Sequence, residues 1–501
     1  MIKEKMKKFW NSNKYNIYIL FGMLLFTLII CSNFIKAHFA LDTYCVYAHD
    51  SNVQISHFLV SNRIFSALAR WLSLVLDISF FTNMKILMIS GMVFLAIAWF
   101  ILYKFVIKMC NRERDIPFNI LIGGITFSII FNFCTVESLL FWESGVMCFG
   151  ILCAVIASCV FNSKIRHRLI LTFFILYIGS SCYQGAITIF IPLSLVLLTY
   201  KNLKEIKKII IDTLKVGIIY FFVMLLNLLA TKIFSFILHN EFRKTAMLSI
   251  PEMFETITRV SGYMAIDTFG IGPRYWYIFS LSLISIIFLI YIIKNKKIDF
   301  SIVEYIVLIL ACILTPIIPL LATPVNKQYF ETRMAMSFGS SLGIILLFMY
   351  MTIKMDKYKF LNLVTTIIIF VMLMLNAMYY IRASSENMAT VYMDRNIAKT
   401  IIEEIYKYQD ESGNKIENIG LTFDKSQTTY YNGQPQYNAI NTRSMVINWA
   451  AIETIELYSG EHFNQIEVPD KYKKIFEEKD WNFFDKDQLV FENNNLYICL
   501  Y

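Results

Sequence analysis

The side chains best suited to chemistry in this chain sit at the edges of long apolar runs. Asp42 and Asp50 lie in 38-HFALDTYCVYAHD-50, and Arg63 and Arg70 lie in the amphipathic stretch that follows. Glu137 and Glu143 bracket one short turn, and Tyr183 and Gln184 occupy another. Arg274 opens one apolar run, and Lys327, Glu331 and Arg333 open a later one. Ionisable groups near hydrocarbon are costly unless they face protein or water, which makes each a candidate by default. A carboxylate beside a cationic pocket can take the proton of an acceptor hydroxyl while Arg or Lys neutralises a phosphate leaving group. Arg suits the phosphate because its planar fork donates two parallel hydrogen bonds. The substrate for such chemistry is a lipid-phosphate sugar, with its tail in the bilayer and its head at the surface. The plainer reading of a charge at the end of a span is an interfacial anchor, and Tyr183-Gln184 reads equally as a polar turn. Asp42 is hardest to read that way, because it follows the first apolar run closely and has aromatic neighbours. His49, His57 and Asp50 match no metal-ligand spacing, so no cofactor or metal is expected.

The elements that must position these groups are membrane helices. Of 501 residues 57% are hydrophobic and 17% charged, and mean hydropathy is +0.55, whereas soluble domains are nearer 45–50% apolar and about 25% charged. The excess sits in blocks of roughly 18–25 residues, the length that crosses hydrocarbon as a helix. About eleven spans are expected, over 17–35, 84–104, 117–136, 144–162, 169–182, 185–200, 209–237, 275–293, 302–322, 334–353 and 360–381. The first is too long for a signal-peptide core and lacks a small-residue cleavage site, so it is read as retained. The connecting segments alternate between basic (104–114, 164–168, 201–208, 294–297, 354–359) and Lys/Arg-poor. That pattern places the N-terminus in the cytoplasm and the tail beyond 382 outside, in a multi-pass membrane protein. The formal charge of +9 is an orientation signal, and nucleic acid is not an expected partner. Ten cysteines fall mostly inside apolar runs and read as small core hydrophobes.

Residues 36–83 form the first outer loop of a domain spanning 1–382. Within it 55–81 is apolar but carries His57, Arg63, Arg70 and Asp77, and Phe58, Ile64, Phe65, Leu68, Leu72 and Leu76 recur at helical spacing. An interfacial helix fits better than a span, which would break the charge alternation. After Ile381 the composition turns polar. An amphipathic helix over 391–411, a strand at 418–424 and a hairpin around Asn493-Asn494 point to a small α/β domain over 383–501. No repeat, phosphate-binding loop or dinucleotide fingerprint occurs.

Asp42 after the first span, Asn62-Arg63 opening the amphipathic helix, 137-ESLLFWESGVMCFGILCAVIA-157, 180-SSCYQGAITIFIPLSL-195, 331-ETRMAMSFG-339 and the outer tail from 386 together resemble the bacterial glucosyltransferase II family. These are polytopic Gtr-type enzymes that modify O-antigens and other surface glycans. The resemblance implies a GT-C-like fold and transfer of a sugar, glucose in the family's name, from a polyprenyl-phosphate donor to a surface-glycan acceptor at the outer leaflet. It marks Asp42, Arg63, Glu137, Glu143, Tyr183, Gln184 and Arg333 as matching positions. The expected mechanism is inverting. Asp42 is the general base, Arg63 and Arg333 hold the phosphate, and Glu137, Glu143, Tyr183 and Gln184 orient sugar or acceptor. Members often carry two adjacent acids in the first loop, where this chain has Asp42-Thr43, and a Gly-Arg where it has Asn62-Arg63. The competing class is a flippase, transporter or polymerase component for lipid-linked glycans. A transporter predicts inverted repeats and mid-span charge, and the sequence has no such repeat.

Overall fold

An apolar backbone away from water has to satisfy its own N–H and C=O groups, and a helix does so within one segment. The computed structural model describes residues 2–36, 39–112, 115–202, 205–239, 251–252, 255, 258, 262, 274–294, 306–311, 332–352, 359–424, 440–478, 481 and 484–500. The helices are α1 (Ile2–Ile30), α2 (Leu41–Ala48), α3 (Ser51–Val60), α4 (Ile64–Val75), α5 (Phe80–Cys110), α6 (Ile116–Ile130), α7 (Ser144–Asn162), α8 (Arg168–Cys182), α9 (Phe190–Lys201), α10 (Ile206–Ile237), α11 (Trp276–Lys294), α12 (Ser341–Thr352), α13 (Lys359–Ser412), α14 (Asn448–Ser459) and α15 (Asp470–Glu477).

Among the described residues six helical stretches are long and apolar enough to cross a membrane: Phe80–Cys110, Ser144–Asn162, Gln184–Lys201, Ile206–Ile237, Thr332–Met351 and Asn362–Ser412. The expected spans at 17–35, 117–136, 169–182 and 275–293 correspond to shorter apolar helices. The one at 302–322 lies outside the described residues except for 306–311. This is a multi-pass helical membrane protein.

The chain forms two compact units: residues 1–32, 55–139 and 143–382, and residues 33–54, 140–142 and 383–501. The sequence reading placed all of 1–382 together. Segment 33–54 instead joins the second unit because α2 packs on α14, and Asn387 Nδ2 donates to the carbonyls of Phe39 (3.1 Å) and Ile440 (3.0 Å).

In the first unit the single interfacial helix expected over 55–81 is broken twice. Asn62 (φ 51°) and Asp77 (φ 51°) adopt the left-handed conformation, which Asn and Asp tolerate better than most side chains. The fragment α4 buries Ser66, Ala67, Arg70 and Ser73 and exposes Leu68, Trp71, Leu72, Leu74 and Val75. An apolar face turned outward suits contact with lipid.

In the second unit four strands, β1 (Asn418–Phe423), β2 (Asn464–Ile466), β3 (Leu489–Glu492) and β4 (Asn495–Leu500), form a sheet of order β2-β1-β4-β3. β1 runs parallel to β2 and β4, and β3–β4 is the antiparallel hairpin read around Asn493-Asn494, with Asn493 at φ 53°. Side chains alternate across β4 as a pleat requires. Leu496, Ile498 and Leu500 pack with Ile401, Ile402 and Ile405 of α13 and Ile452 and Ile455 of α14. Tyr497 and Cys499 face Val468, Phe476 and Trp481. The helix expected to begin at 391 is the tail of α13, since 382–394 contains neither Gly nor Pro to interrupt it.

Asp394 of α13 accepts from Ser444 N (2.6 Å) and Oγ (2.9 Å) and lies 3.4 Å from Arg443 Nε. Both side chains are buried, at 2% and 0% exposure. Removing one partner of such a pair costs about 3–5 kcal/mol because the other charge stays behind. Asp394→Ala should therefore lower the melting temperature of the detergent-solubilised full chain by several degrees, and the double variant Asp394→Leu/Arg443→Met should recover part of that loss.

Candidate functional site

Six of the seven expected residues fall in the first unit, and there they form one connected network. Arg63 stands at the N-cap of α4 with its amide on the Phe58 carbonyl at 2.8 Å. The left-handed Asn62 before it turns the chain from α3 into α4. Arg63 Nη1 donates to Glu143 Oε1 at 2.6 Å, and its guanidinium lies 5.3 Å from the centre of the Tyr183 ring. Glu143 is itself at the N-cap of α7, where helix amides favour a negative charge.

Tyr183 ends α8 in an extended conformation, and Gln184 begins a 3-10 turn, Gln184–Ile189, that leads into α9. Gln184 Nε2 donates to the Ser61 carbonyl (2.9 Å) and to Asn227 Oδ1 (3.3 Å), tying this turn to the α3–α4 corner and to α10. Gly185 is pressed so closely against its neighbours that a Cβ there would lie 2.8 Å from the Arg333 carbonyl oxygen and 3.1 Å from Met334 Cα. The next contact completes the chain: Glu137 accepts from Arg333 N (2.7 Å) and Nη1 (2.8 Å).

The two Arg–Glu pairs differ in access. Arg333 and Glu137 are 6% and 0% exposed, with both carboxylate oxygens engaged by one residue, whereas Arg63 is 21% exposed and Glu143 3%. The first pair is a clamp between the 3-10 turns Val136–Leu139 and Thr332–Ala335. The expectation that Arg333 holds a phosphate and Glu137 orients a sugar does not fit that burial. Arg63 is the more exposed of the two cations, and among the described residues Glu143 Oε2 is buried without a hydrogen-bond partner. An anion with hydroxyl-bearing substituents suits that pairing of cation and acceptor.

Asp42 belongs to the second unit. It lies in the first turn of α2, exposed to solvent, with no side-chain capping bond at Ala40. Its carboxylate is felt by Cys45 one turn on. Burial, then Glu453 and Asp42, push that thiol up to about 12, and its Sγ donates to the Trp449 carbonyl at 3.2 Å. Among the described residues no group of three or more His, Cys, Asp or Glu is gathered as a metal site.

Two contributors escaped the sequence reading. Asn227, 4% exposed, holds Gln184 from mid-α10, and a lone amide in an apolar run was its only signal. Gly185 sits beside a dipeptide already singled out. Asn62, already read with Arg63 as opening the amphipathic helix, is fully buried, and its side-chain amide has no hydrogen-bond partner among the described residues.

Comparison with family models, with curated proteins and with solved structures returned no match.

Two outcomes test this geometry. Glu137→Gln leaves the buried Arg333 charge without its counter-ion, a loss of about 3–5 kcal/mol, so it should sharply reduce the yield of folded protein, while Arg63→Lys, which keeps a cation beside the buried Glu143, should not. With its thiol pushed up to about 12, Cys45 should alkylate slowly at pH 8 and faster as pH rises towards that value. Asp42→Asn removes a neighbouring negative charge and should speed the reaction, read by peptide mass mapping.

Proposed function

We propose that this chain is a membrane glycosyltransferase that moves a sugar, glucose in the first instance, from a polyprenyl-phosphate carrier to a cell-surface glycan at the outer face of a bacterial plasma membrane. One observation carries the reading: a partly open Arg63 paired with a buried Glu143 against Tyr183, at the end of apolar helices. The glucosyltransferase II-like sequence features point the same way, and the charge alternation supports a cytoplasmic N-terminus and an outer C-terminus. No metal or other cofactor enters this scheme.

The step is a displacement at the anomeric carbon. An acceptor hydroxyl oxygen attacks from the face opposite the phosphate, the bond from that carbon to the phosphate oxygen breaks, and the configuration inverts. The departing polyprenyl phosphate gains negative charge, which Arg63 meets. The acceptor proton passes to a carboxylate. Arg333 and Glu137 hold the frame and contribute no proton or charge to the reaction. Tyr183 and Gln184 fix the position of Arg63 and its corner.

The assay is transfer of labelled sugar from polyprenyl-phosphate glucose to a simple glycan by the purified full chain in vesicles. Arg63→Gln should lose at least about 100-fold in transfer per folded molecule, the scale on which removing one preorganised donor acts. Arg63→Lys should restore part of it. Asp42→Asn tests the base: lost transfer at normal abundance assigns the proton to Asp42, and undiminished transfer removes Asp42 from the mechanism. Donor that crosses the bilayer intact, with no labelled product from any acceptor, would replace this reading with a flippase.

A further inference from the structure

A second charged cluster lies in the first unit and takes no part in the network around Arg63. A cleft of about 690 Å³ opens at the start of α8 and α10, lined by Arg168, Glu205, Lys207, Lys208, Asp212 and Lys215 with Ile206 and Ile211. Four cations face two carboxylates, so the lining keeps a surplus of two positive charges. Lys201 lies within electrostatic reach of Arg168, Asp212 and Lys208. An orientation signal needs only basic residues in a connecting loop. Here the charge goes further. Asp212 and Lys215 lie two to three turns inside α10, where ionisable groups are kept for a partner or a purpose.

The geometry is built around Asp212. Its side chain is 7% exposed and meets Lys215 Nζ at 2.8 Å and Arg168 Nη2 at 3.9 Å. Arg168 is held further by the Ser163 carbonyl (3.3 Å) and the Phe161 ring (5.6 Å). One carboxylate therefore fixes two cations from two helices at the floor of the cleft without neutralising both. Lys207 and the 49%-exposed Lys208 stand at its rim. Beside this charge α10 exposes Ile206, Ile210, Ile211 and Leu214 at 59%, 55%, 52% and 61%. A free phosphate would use the cations and leave that apolar strip in water, whereas a phospholipid covers both.

We propose that this cleft is a binding site for an anionic phospholipid, its phosphate seated among Arg168, Lys207, Lys208 and Lys215 and its acyl chains along the exposed isoleucine strip of α10. The amide groups opening α8 and α10 add favourable potential for the same anion. The site is independent of the sugar-transfer reading.

The test uses the full chain in nanodiscs of phosphatidylcholine doped with phosphatidylglycerol, with retained lipid counted by native mass spectrometry. The wild type should retain phosphatidylglycerol in preference to phosphatidylcholine. Lys207→Gln/Lys208→Gln changes exposed side chains only and should keep the wild-type melting temperature in pure phosphatidylcholine. With each surface cation adding a similar increment, its affinity for phosphatidylglycerol should fall about thirty-fold. Ile211→Asn should weaken retention of phosphatidylglycerol by covering the apolar strip less well. Millimolar inorganic phosphate should not displace the lipid. Equal retention of the two lipids, unchanged affinity in the double Gln variant, or displacement by inorganic phosphate would each overturn the proposal.

Discussion

The membrane unit depends on a carboxylate that is never seen by solvent. Glu137 is 0% exposed and meets Arg333 through both the backbone amide and the guanidinium, across 196 residues of sequence. Burying two charges is expensive, and attraction repays it only when the remaining lone pairs are also met. Arg333 does so with two donors from one residue, which requires the turn at 332–335 to lie against the turn at 136–139. That requirement in turn sets the floor on which Gly185 rests, so the 3-10 turn carrying Gln184 has a single place to go.

The open pair is built on this closed one. Tyr183 and Gln184 reach outward from the turn to the α3–α4 corner, one through its ring beneath Arg63 and the other through its amide on Ser61. In the transfer we propose, Arg63 meets a transient charge and needs its rotamer fixed beforehand, which a carboxylate and an aromatic face provide. The same pairing of residue types thus occurs twice, and depth separates the two.

Much of this was legible in the residues. Apolar blocks located the long helices, and the Asn493-Asn494 signal located a hairpin whose inward residues follow the pleat. What escaped has identifiable causes. The three-residue β2 is too short to leave a period of two. Asn62 looks like any polar residue until its left-handed backbone divides a helix that periodicity had joined. The tail of α13 looked like a new helix because its surroundings change from apolar to polar while its backbone does not. For the site, the sequence supplied the right residue types but not their depth. Nothing in the letters at 137 and 333 says that this pair is sealed and the one at 63 and 143 is not. Segment 33–54 was assigned by order along the chain, and its partners, α14 and Asn387, lie hundreds of residues away.

Asp212 and Lys215 bear on how the protein is made as well as on what it binds. An aspartate alone at the centre of a spanning helix costs about 2.5–3.5 kcal/mol on translocon-insertion scales, an upper bound for Asp212, which lies about two turns into α10. Its counter-ion lies three residues downstream on the same helix, a spacing at which side chains meet as soon as one turn has coiled. Each nascent chain can therefore present this stretch to the insertion machinery as a neutral dipole. Arg168 emerges from the ribosome before either of them, so the third member of the cluster is already synthesised when the pair arrives.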